Sequence, residues 1–495
     1  MTSHAPPLPV QTPTLLPSEP VRVDAPDALH ARDASPAPVV LVGTAATLAD
    51  LEPRLARASR AVQAQVVVGA EADPAGALHA LPLDRGCTVL LSLPRVMCGL
   101  ARRLMEALDA RGVAWAEVAT LEDQLAAGRL RVPGAGDIDP AALIDRPAHP
   151  LDTDALGALL TGRRVLITGA GGSIGSELAR VALRFGPESL VLADRSENSL
   201  FEIDRELRAV ADAARVGVAA ELHDITHPLR TRRLMERHRP HVVLHAAAHK
   251  HVPMMEDHPG DAIENNFLGT RNVTDAARAA GVERLVMISS DKAVNPSSVM
   301  GATKRLAELY VQAANAAGGT RASMVRFGNV LGSACSVLPI WADQLHRGGP
   351  LTVTHRDMTR YFMTIPEAAG LVLQAGAMSC GGEVFLLDMG APVRIHDLAE
   401  RFLRAQGLEP GVDVGIHITG PRPGEKLFEE LSYAGEDTAA TAHPAVFTWR
   451  TAPPSAAHVA ELVATFTHLR DAPATQITTA LRAAVPEMVS ALRAG

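Results

Sequence analysis

Lysine is scarce in this chain, and the few lysines stand where chemistry is expected. Only four of the 47 basic residues are lysine, namely Lys250, Lys292, Lys304 and Lys426. Arginine stays charged at any relevant pH, whereas the compact lysine amine can be tuned to lose its proton. The retained lysines are therefore candidates for work that a guanidinium cannot do. Three of them fall in the segments AAAHKHVP, ISSDKAVNP and GATKR.

The strand-like run RLVMISS (284–290) is followed directly by an acidic and a basic side chain. Ser290, Asp291 and Lys292 follow each other there, at the carboxyl end of a strand, where open α/β sheets bind their ligands. Asp291 and Lys292 would form an adjacent acid and base pair. We expect desolvation to lower the pKa of Lys292 and to raise that of Asp291.

A second motif predicts a dinucleotide site. Strand VLIT leads into a glycine turn and then into the helix SELARVAL, a unit that brings backbone amides close to a pyrophosphate. The next strand ends at Asp194, where a carboxylate would receive ribose hydroxyls and favour NAD. Arg195 beside it could hold a 2′-phosphate, so NADP stays open. The predicted cofactor-binding residues are Gly169, Gly172, Ser173, Ile174, Gly175, Asp194, Arg195, Ser196, Asp224, Ile225, Ala246, Ala247, Ala248 and Lys304.

The elements that position these residues predict two α/β domains. Residues 1–37 are rich in proline and alanine and predict a disordered tail. Strands alternating with helices over 38–130 predict a small parallel Rossmann-like domain, whose first turn, GTAAT, lacks the glycines of a pyrophosphate site. Residues 131–160 are predicted as a linker. Residues 161–445 are predicted as a doubly wound parallel sheet with a substrate lobe after about residue 335, and 446–495 as a helical segment.

Composition narrows the class of protein. The net charge of −8 and the lack of a dense basic block give no sign of a nucleic-acid partner. The four cysteines show no CxxC or metal-ligand spacing, so we predict no metal site and a reducing compartment. No apolar run is long enough to span a bilayer, and no signal peptide precedes the first domain. These features predict a soluble cytoplasmic protein.

The motifs also resemble a known family. GAGGSIGSE, AAAHKHVPMME, ISSDKAVNPSSVMGATKR, RFGNVLGS, MTRYFMTIPEA and RPGEKLFEEL are similar, in this order, to the nucleotide-sugar 4,6-dehydratases of capsule, O-antigen and protein-glycosylation biosynthesis. These enzymes belong to the extended short-chain dehydrogenase superfamily. The resemblance covers about 140–445. Its larger members carry a degenerate Rossmann-like domain before the catalytic one and usually transmembrane helices before that, which this sequence lacks.

The resemblance implies a UDP-N-acetylglucosamine 4,6-dehydratase with tightly bound NAD or NADP that is regenerated in each turnover. On this basis Lys292 is the base at C5 and Asp291 the acid at C6, while Ser290 and Lys304 help to deprotonate the C4 hydroxyl. Substrate-side positions are Lys250, His251, Asn329, Arg360, Arg422 and Glu425, the last four facing the UDP portion. Lys426 could contact ligand or form a structural ion pair. Analogy with the superfamily implies a homo-oligomer.

Two departures from family patterns bear on function. Short-chain dehydrogenases normally place Tyr four residues before the lysine, and this chain has Met300 there. Methionine is itself typical of the large members, which favours retention of configuration at C5. RFGNVLGS is usually followed by Arg-Gly-Ser, but here Ala334-Cys335-Ser336 follows.

The alternatives to a retaining dehydratase are a C5-inverting dehydratase, a nucleotide-sugar 4-epimerase, which needs no acid at C6, and a non-catalytic nucleotide-sugar-binding protein.

Overall fold

The chain divides into two compact units, residues 1–132 and 133–495. The computed structural model describes residues 39–45, 47–49, 51, 62–68, 87–93, 98–117, 140–144, 148–432 and 438–489. The predicted tail, 1–37, lies outside these described residues, as does much of the predicted linker before residue 148.

The first unit contains a four-stranded parallel sheet. Its elements are β1 (Val39–Gly43), β2 (Val62–Val67), β3 (Thr88–Ser92), α1 (Cys98–Asp109) and β4 (Ala114–Glu117), and the strand order is β2-β1-β3-β4. All five residues of β1 are buried, as expected of a central strand in a parallel sheet. In the turn after β1, the Thr47 hydroxyl donates to the carbonyl of Ser92 at 2.6 Å.

The second unit is built on a nine-stranded sheet. Its parallel strands are β5 (Arg164–Thr168), β6 (Ser189–Asp194), β7 (Gly217–Leu222), β8 (Val242–His245), β9 (Arg284–Ile288), β10 (Arg321–Arg326) and β15 (Val384–Leu387). Two antiparallel strands, β18 (Thr438–Ala440) and β19 (Val446–Trp449), complete the edge. The order is β18-β19-β15-β10-β9-β8-β5-β6-β7. The order reverses beside β5, and such a reversal leaves a crevice at the carboxyl ends of the strands. The predicted doubly wound Rossmann-type fold is confirmed.

Helices cover both faces of this sheet. They are α2 (Pro140–Ile144), α3 (Thr153–Leu160), α4 (Ser173–Arg184), α5 (Glu197–Ala214), α6 (Pro228–His238), α7 (Val252–Asp257), α8 (Pro259–Ala262), a π-helical turn (Ile263–Leu268), α9 (Gly269–Ala279), a 3₁₀ turn (Asp291–Ala293) and α10 (Val299–Ala316). The linker prediction is wrong for α3, because Leu156, Leu159 and Leu160 are buried in the main core. Their spacing of three and four residues places them on one helix face.

The later part of the chain forms short strand pairs beside the sheet. The pairs are β11 (Asn329–Leu331) with β14 (Phe362–Thr364), β12 (Leu351–Val353) with β17 (Ile416–Ile418), and β13 (Thr359–Arg360) with β16 (Val393–Arg394). Helices α11 (Val337–His346), α12 (Ile365–Met378), α13 (Ile395–Ala405), α14 (Ala456–Leu469) and α15 (Ala474–Ala484) accompany them. Strand β15 belongs to the main sheet rather than to the predicted lobe, and β19 shows that the sheet extends beyond residue 445.

A buried ion pair joins the central strands to α10. The carboxylate of Glu308 accepts two hydrogen bonds from the fully buried guanidinium of Arg326, both at 2.8 Å, and one at 2.7 Å from the Ser289 hydroxyl. Burial alone would raise the pKa of Glu308, but Arg326, Arg305 and Ser289 together outweigh it and hold the pKa at about 2. Since the folded pKa lies below the ordinary 4.5, this stabilisation is present above pH 4.5 and is lost as the pH falls toward 2.

Replacing Glu308→Gln should lower the free energy of unfolding by about 3–5 kcal/mol, because it leaves the Arg326 charge buried without its counter-ion. Urea denaturation at pH 7 measures the loss. A matched control is Glu487→Gln, which removes a partly exposed partner of Arg305 and should cost less than about 1 kcal/mol. Equal losses in the two variants would contradict the special role of the buried pair.

Candidate active site

The glycine turn after β5 is folded too tightly for side chains. Gly169 has φ +71°, and a Cβ there would lie 2.6 Å from the Ala247 backbone nitrogen. A Cβ on Gly175 would lie 2.0 Å from the Gly169 carbonyl oxygen. The turn therefore requires glycine at both positions. It aims the amino terminus of α4, which has no side-chain cap, at the crevice, and such an end favours an anion.

The end of β6 borders the same turn. The Asp194 carboxylate accepts hydrogen bonds from the Gly171 amide at 2.9 Å and from the Ser196 amide at 2.8 Å, so it fixes the glycine turn against β6. Arg195 contacts the ring of His249. Asp224 accepts from the amide of Thr226 at 2.9 Å, and the pKa of Asp224 is lowered: burial opposes the shift, but hydrogen bonds from Thr226 outweigh it.

Two cavities run along the carboxyl edge of the sheet. The smaller, about 150 Å³, is lined by Gly169, Asp194, Asp224, Ile225 and Ala247, among others. The larger, about 960 Å³, starts at the turn residues 172–175 and extends to Glu429. A glycine turn without room for a Cβ, an uncapped helix end and a carboxylate at the next strand fit a dinucleotide. They would hold its pyrophosphate and its adenosine half.

Nearly all predicted site residues line one of these cavities. Those lining the larger one include Ser290, Lys292, Lys304, Lys250, His251, Asn329, Arg360, Arg422 and Glu425. Ser196 and Asp291 line neither. Ser196 supports the turn through its amide, and Asp291 is fully buried beneath the cavity surface.

All four lysines of the chain line the larger cavity. Lys250 donates to the Ala334 carbonyl at 2.8 Å, and burial lowers its pKa. Lys426 donates to the Val294 carbonyl at 3.0 Å and pairs with Glu430 at 3.1 Å. In this structure Lys426 therefore has two structural partners. The four lysines, which their scarcity marked as candidates for chemistry, therefore lie around one cavity.

Lys292 lies between two carboxylates. Its amine is 3.0 Å from Asp291 Oδ1 and 3.6 Å from Glu429 Oε1, and it donates to Asn329 Oδ1 at 3.2 Å. Burial pulls the pKa of Lys292 down, but the charges of Asp291 and Glu429 outweigh burial and raise it above its ordinary value. The prediction of a lowered pKa for this lysine is wrong, because sequence could not reveal the second carboxylate.

The lysine with a lowered pKa is Lys304. Its amine is buried in α10 and donates to the Ile288 carbonyl at 2.6 Å. Burial lowers the pKa of Lys304 to about 8, although the charge of Glu308 one turn along the helix opposes this. Met300 lies on the same helix face and lines the cavity. A fraction of the Lys304 amine is therefore neutral at mildly alkaline pH.

Asp291 is held from two sides. Oδ1 accepts hydrogen bonds from the Ser290 hydroxyl at 2.9 Å and from Lys292 at 3.0 Å. Oδ2 has no hydrogen-bond partner among the described residues, and Gly328 packs over it, so that a Cβ there would lie 3.3 Å away. Asp291 thus anchors the amine of Lys292 from below.

The far end of the cavity is organised by arginines. Arg360 is buried and donates to the carbonyls of Thr359, Leu427 and Lys426 at 2.7–3.3 Å, which holds the 426–429 segment against β13. Arg422 pairs with Glu425 through bonds of 3.0 and 2.6 Å. The Arg422 side chain is 57% exposed, so it remains accessible to a ligand that can displace the carboxylate.

The loop that departs from the family pattern closes onto the glycine turn. The Ala334 amide donates to the Ser173 hydroxyl at 3.0 Å, and Cys335 adopts φ +55°. Lys250 holds the Ala334 carbonyl from the opposite side. In this structure the side chain of Lys250 therefore holds the loop at Ala334 in place.

Sequence reasoning missed Glu429, which lines the cavity beside Lys292 and is buried. Glu429 lies in the segment RPGEKLFEEL, in which the family resemblance implied that Arg422 and Glu425 face the UDP portion. Nothing in the linear pattern distinguished Glu429 from the neighbouring Glu430, whose side chain is 48% exposed.

Residues 165–451 match the family described as polysaccharide biosynthesis protein. The chain belongs to this family. It is 45% identical over 344 residues to the capsular polysaccharide biosynthesis protein CapD of Staphylococcus aureus, covering 69% of this chain. The chain spans 57% of CapD's own length, a little over half of that relative. The predicted family resemblance is confirmed.

Two further proteins share this part of the chain. An inverting UDP-N-acetylglucosamine 4,6-dehydratase of Campylobacter jejuni is 33% identical over 285 residues, covering 55% of this chain and 78% of that protein. The structure of Pen from Bacillus thuringiensis superposes with a TM-score of 0.55 at 32% identity, covering 60% of this chain and 92% of that one. Across the described part of the chain, no helix is long and apolar enough to cross a membrane.

We expect the amines of Lys304 and Lys292 to titrate far apart, the first near pH 8 and the second above pH 10.5. Burial lowers one pKa and two carboxylates raise the other. Selective isotope labelling of lysine gives only four side-chain signals, which NMR can follow against pH and assign with Lys→Arg variants. A shared titration of both amines above pH 10 would contradict the environment described for Lys304.

Proposed function

We propose that this chain is a UDP-N-acetylglucosamine 4,6-dehydratase that retains configuration at C5 and works with bound NAD or NADP. When bound, NAD or NADP would supply the acceptor for the C4 hydride and the donor of the hydride that returns to C6. The product is a UDP-4-keto-6-deoxy sugar for surface polysaccharide or glycoconjugate synthesis. Family membership supports a role in polysaccharide biosynthesis, and the Campylobacter relative supports this substrate and reaction class.

The observation that carries the proposal is the setting of Lys292. Its amine stands in the larger cavity at the end of β9, with one carboxylate on each side. Elimination of water across C5 and C6 needs a base at C5 and an acid at C6, so an amine paired with carboxylic acids suits it. A 4-epimerase has no leaving group to protonate, and the paired carboxylates therefore favour dehydration.

The remaining residues have parts in the same proposal. Lys304, whose pKa is near 8, and Ser290 assist removal of the C4 hydroxyl proton. Arg422 and Glu425 would separate to bind the diphosphate and the uridine ribose, since a guanidinium forms paired bonds to phosphate oxygens. Arg360 acts by holding the 426–429 segment. Met300 in place of tyrosine supports retention at C5.

Incubation of the purified protein with UDP-N-acetylglucosamine in deuterated water should yield a 4-keto-6-deoxy sugar with deuterium at C5. The C5 proton passes to an amine that exchanges with solvent, while the cofactor is not consumed. NMR of the product reads both the label and the configuration at C5. A C4-inverted sugar that keeps its C6 hydroxyl would instead identify an epimerase, and an inverted C5 centre would remove the retaining assignment.

Lys292→Arg should slow product formation by about 10²–10⁴-fold, because a guanidinium keeps its charge but does not act as a base. Affinity for UDP, measured by calorimetry, should stay at the wild-type level, since the substitution preserves the cation between the carboxylates. Product formation at the wild-type rate would contradict the role given to the amine.

A further inference from the structure

The loop 293–298 joins the two parts of the site that carry amines. It begins after Lys292 and leads into α10, which carries Met300 and Lys304, and all three of these residues line the larger cavity. A Cβ on Gly301 would lie 2.1 Å from the Lys292 carbonyl oxygen, so the two ends of the loop pack directly against each other. A displacement of the loop would therefore move the amine of Lys292 relative to α10.

This loop depends on other segments for its shape. Residues 294–298 belong to no helix or strand, and Asn295 has φ +39°, a backbone conformation that costs free energy in a residue with a side chain. Lys426 donates to the Val294 carbonyl at 3.0 Å, and the Ser297 hydroxyl donates to the Gly424 carbonyl at 2.9 Å. Both contacts tie the loop to the same neighbouring segment of the chain.

The C-terminal segment 485–489 supplies a further contact from elsewhere in the chain. The Val489 amide donates to the Pro296 carbonyl at 2.9 Å, while the Val489 side chain is exposed. The backbone therefore makes this hydrogen bond. Two residues earlier, the Glu487 carboxylate accepts a hydrogen bond from Arg305 Nε at 2.9 Å. Arg305 directly follows Lys304 in α10, so the segment holds both the loop and the helix into which the loop leads.

The segment is itself anchored by the last two helices. Helices α14 and α15 pack against α10, and Leu481 and Val485 belong to the same buried apolar cluster as Met300. A Cβ on Gly260 in α8 would lie 2.1 Å from the Arg470 carbonyl oxygen between these two helices. The close packing on α8 and α10 therefore determines where residues 485–489 meet the loop.

We propose that the C-terminal segment 485–489 is a positioning element of the active site, which fixes the 293–298 loop and with it the amine of Lys292. Glu487 and Val489 line neither cavity, so they act on the chemistry through Lys292 and α10 rather than by touching a ligand. The kinetic part of this inference rests on the dehydratase function proposed above, whereas the placement of the amine does not.

The test removes the contacts one at a time. Val489→Pro abolishes the amide donor to Pro296, and Val489→Ala, which keeps the amide, is its matched control. Deletion of residues 486–495 removes the contacts of both Glu487 and Val489 but keeps the buried Val485, and deletion of residues 490–495 keeps both contacts. Each protein is compared with the wild type by its turnover of UDP-N-acetylglucosamine, its UDP affinity in calorimetry, its Tm and the NMR signals of isotope-labelled lysine.

Val489→Pro should lower kcat about 10–100-fold, because a small misplacement of a reacting group is costly. Its UDP affinity should equal that of the wild type, and its Tm should stay within about 2 °C. The signal of the Lys292 amine should shift, whereas that of Lys250, which bonds to Ala334, should not. Deletion of 486–495 should change kcat and the Lys292 signal at least as much. Both controls should match the wild type.

An unchanged Lys292 signal in Val489→Pro would overturn the proposal, whatever its rate. An equal loss in Val489→Ala would do the same, since the effect would then belong to the side chain. A fall in rate accompanied by weaker UDP binding and a lowered Tm would also overturn it, because the variant would then be generally destabilised. If the wild type forms no keto sugar, the dehydratase function fails, and the Lys292 signal still decides whether the segment positions the amine.

Discussion

The site depends on one ammonium group held between two carboxylates at the carboxyl end of β9. Lys292 carries its charge because Asp291 and Glu429 together compensate for the cost of burial. Removing either carboxylate leaves the buried cation with only one counter-charge, which is costly in an apolar surrounding. The carboxylates depend on the cation in the same way. The charges of the three groups therefore depend on one another.

Distant parts of the chain must meet for this group of charges to exist. The loop after β9 supplies Asp291 and Lys292, and its approach is fixed by Ser289, which donates to the buried Glu308–Arg326 pair. The 426–429 segment supplies Glu429, and Arg360 holds it by donating to the carbonyls of Lys426 and Leu427. Buried guanidinium groups thus set both halves of the site. The five donors of a guanidinium allow Arg360 to bind two backbone carbonyls of the irregular 426–429 segment at once.

Much of this architecture could be predicted from sequence because it rests on local pattern. The strand that was predicted to end at Asp194 does end there (Ser189–Asp194), and the glycine turn located the cofactor side of the crevice. The pKa of Lys292 could not be predicted, since it depends on Glu429, which is far along the chain and brought close only by tertiary contacts. The helix Thr153–Leu160 falls within the predicted linker 131–160, although it carries three leucines at helical spacing. Packing against the main core decided the outcome there.

The concentration of lysine in one cavity has a practical side. Lys250, Lys292, Lys304 and Lys426 are the only side-chain amines of the chain, and all four line the larger cavity. Apart from the α-amine of the chain, an amine-selective reagent therefore meets only amines that line this cavity, of which Lys250 is exposed at the cavity wall. Coupling to a resin or a dye through lysine would block the crevice, whereas chemistry directed at arginine or cysteine would spread over other surfaces.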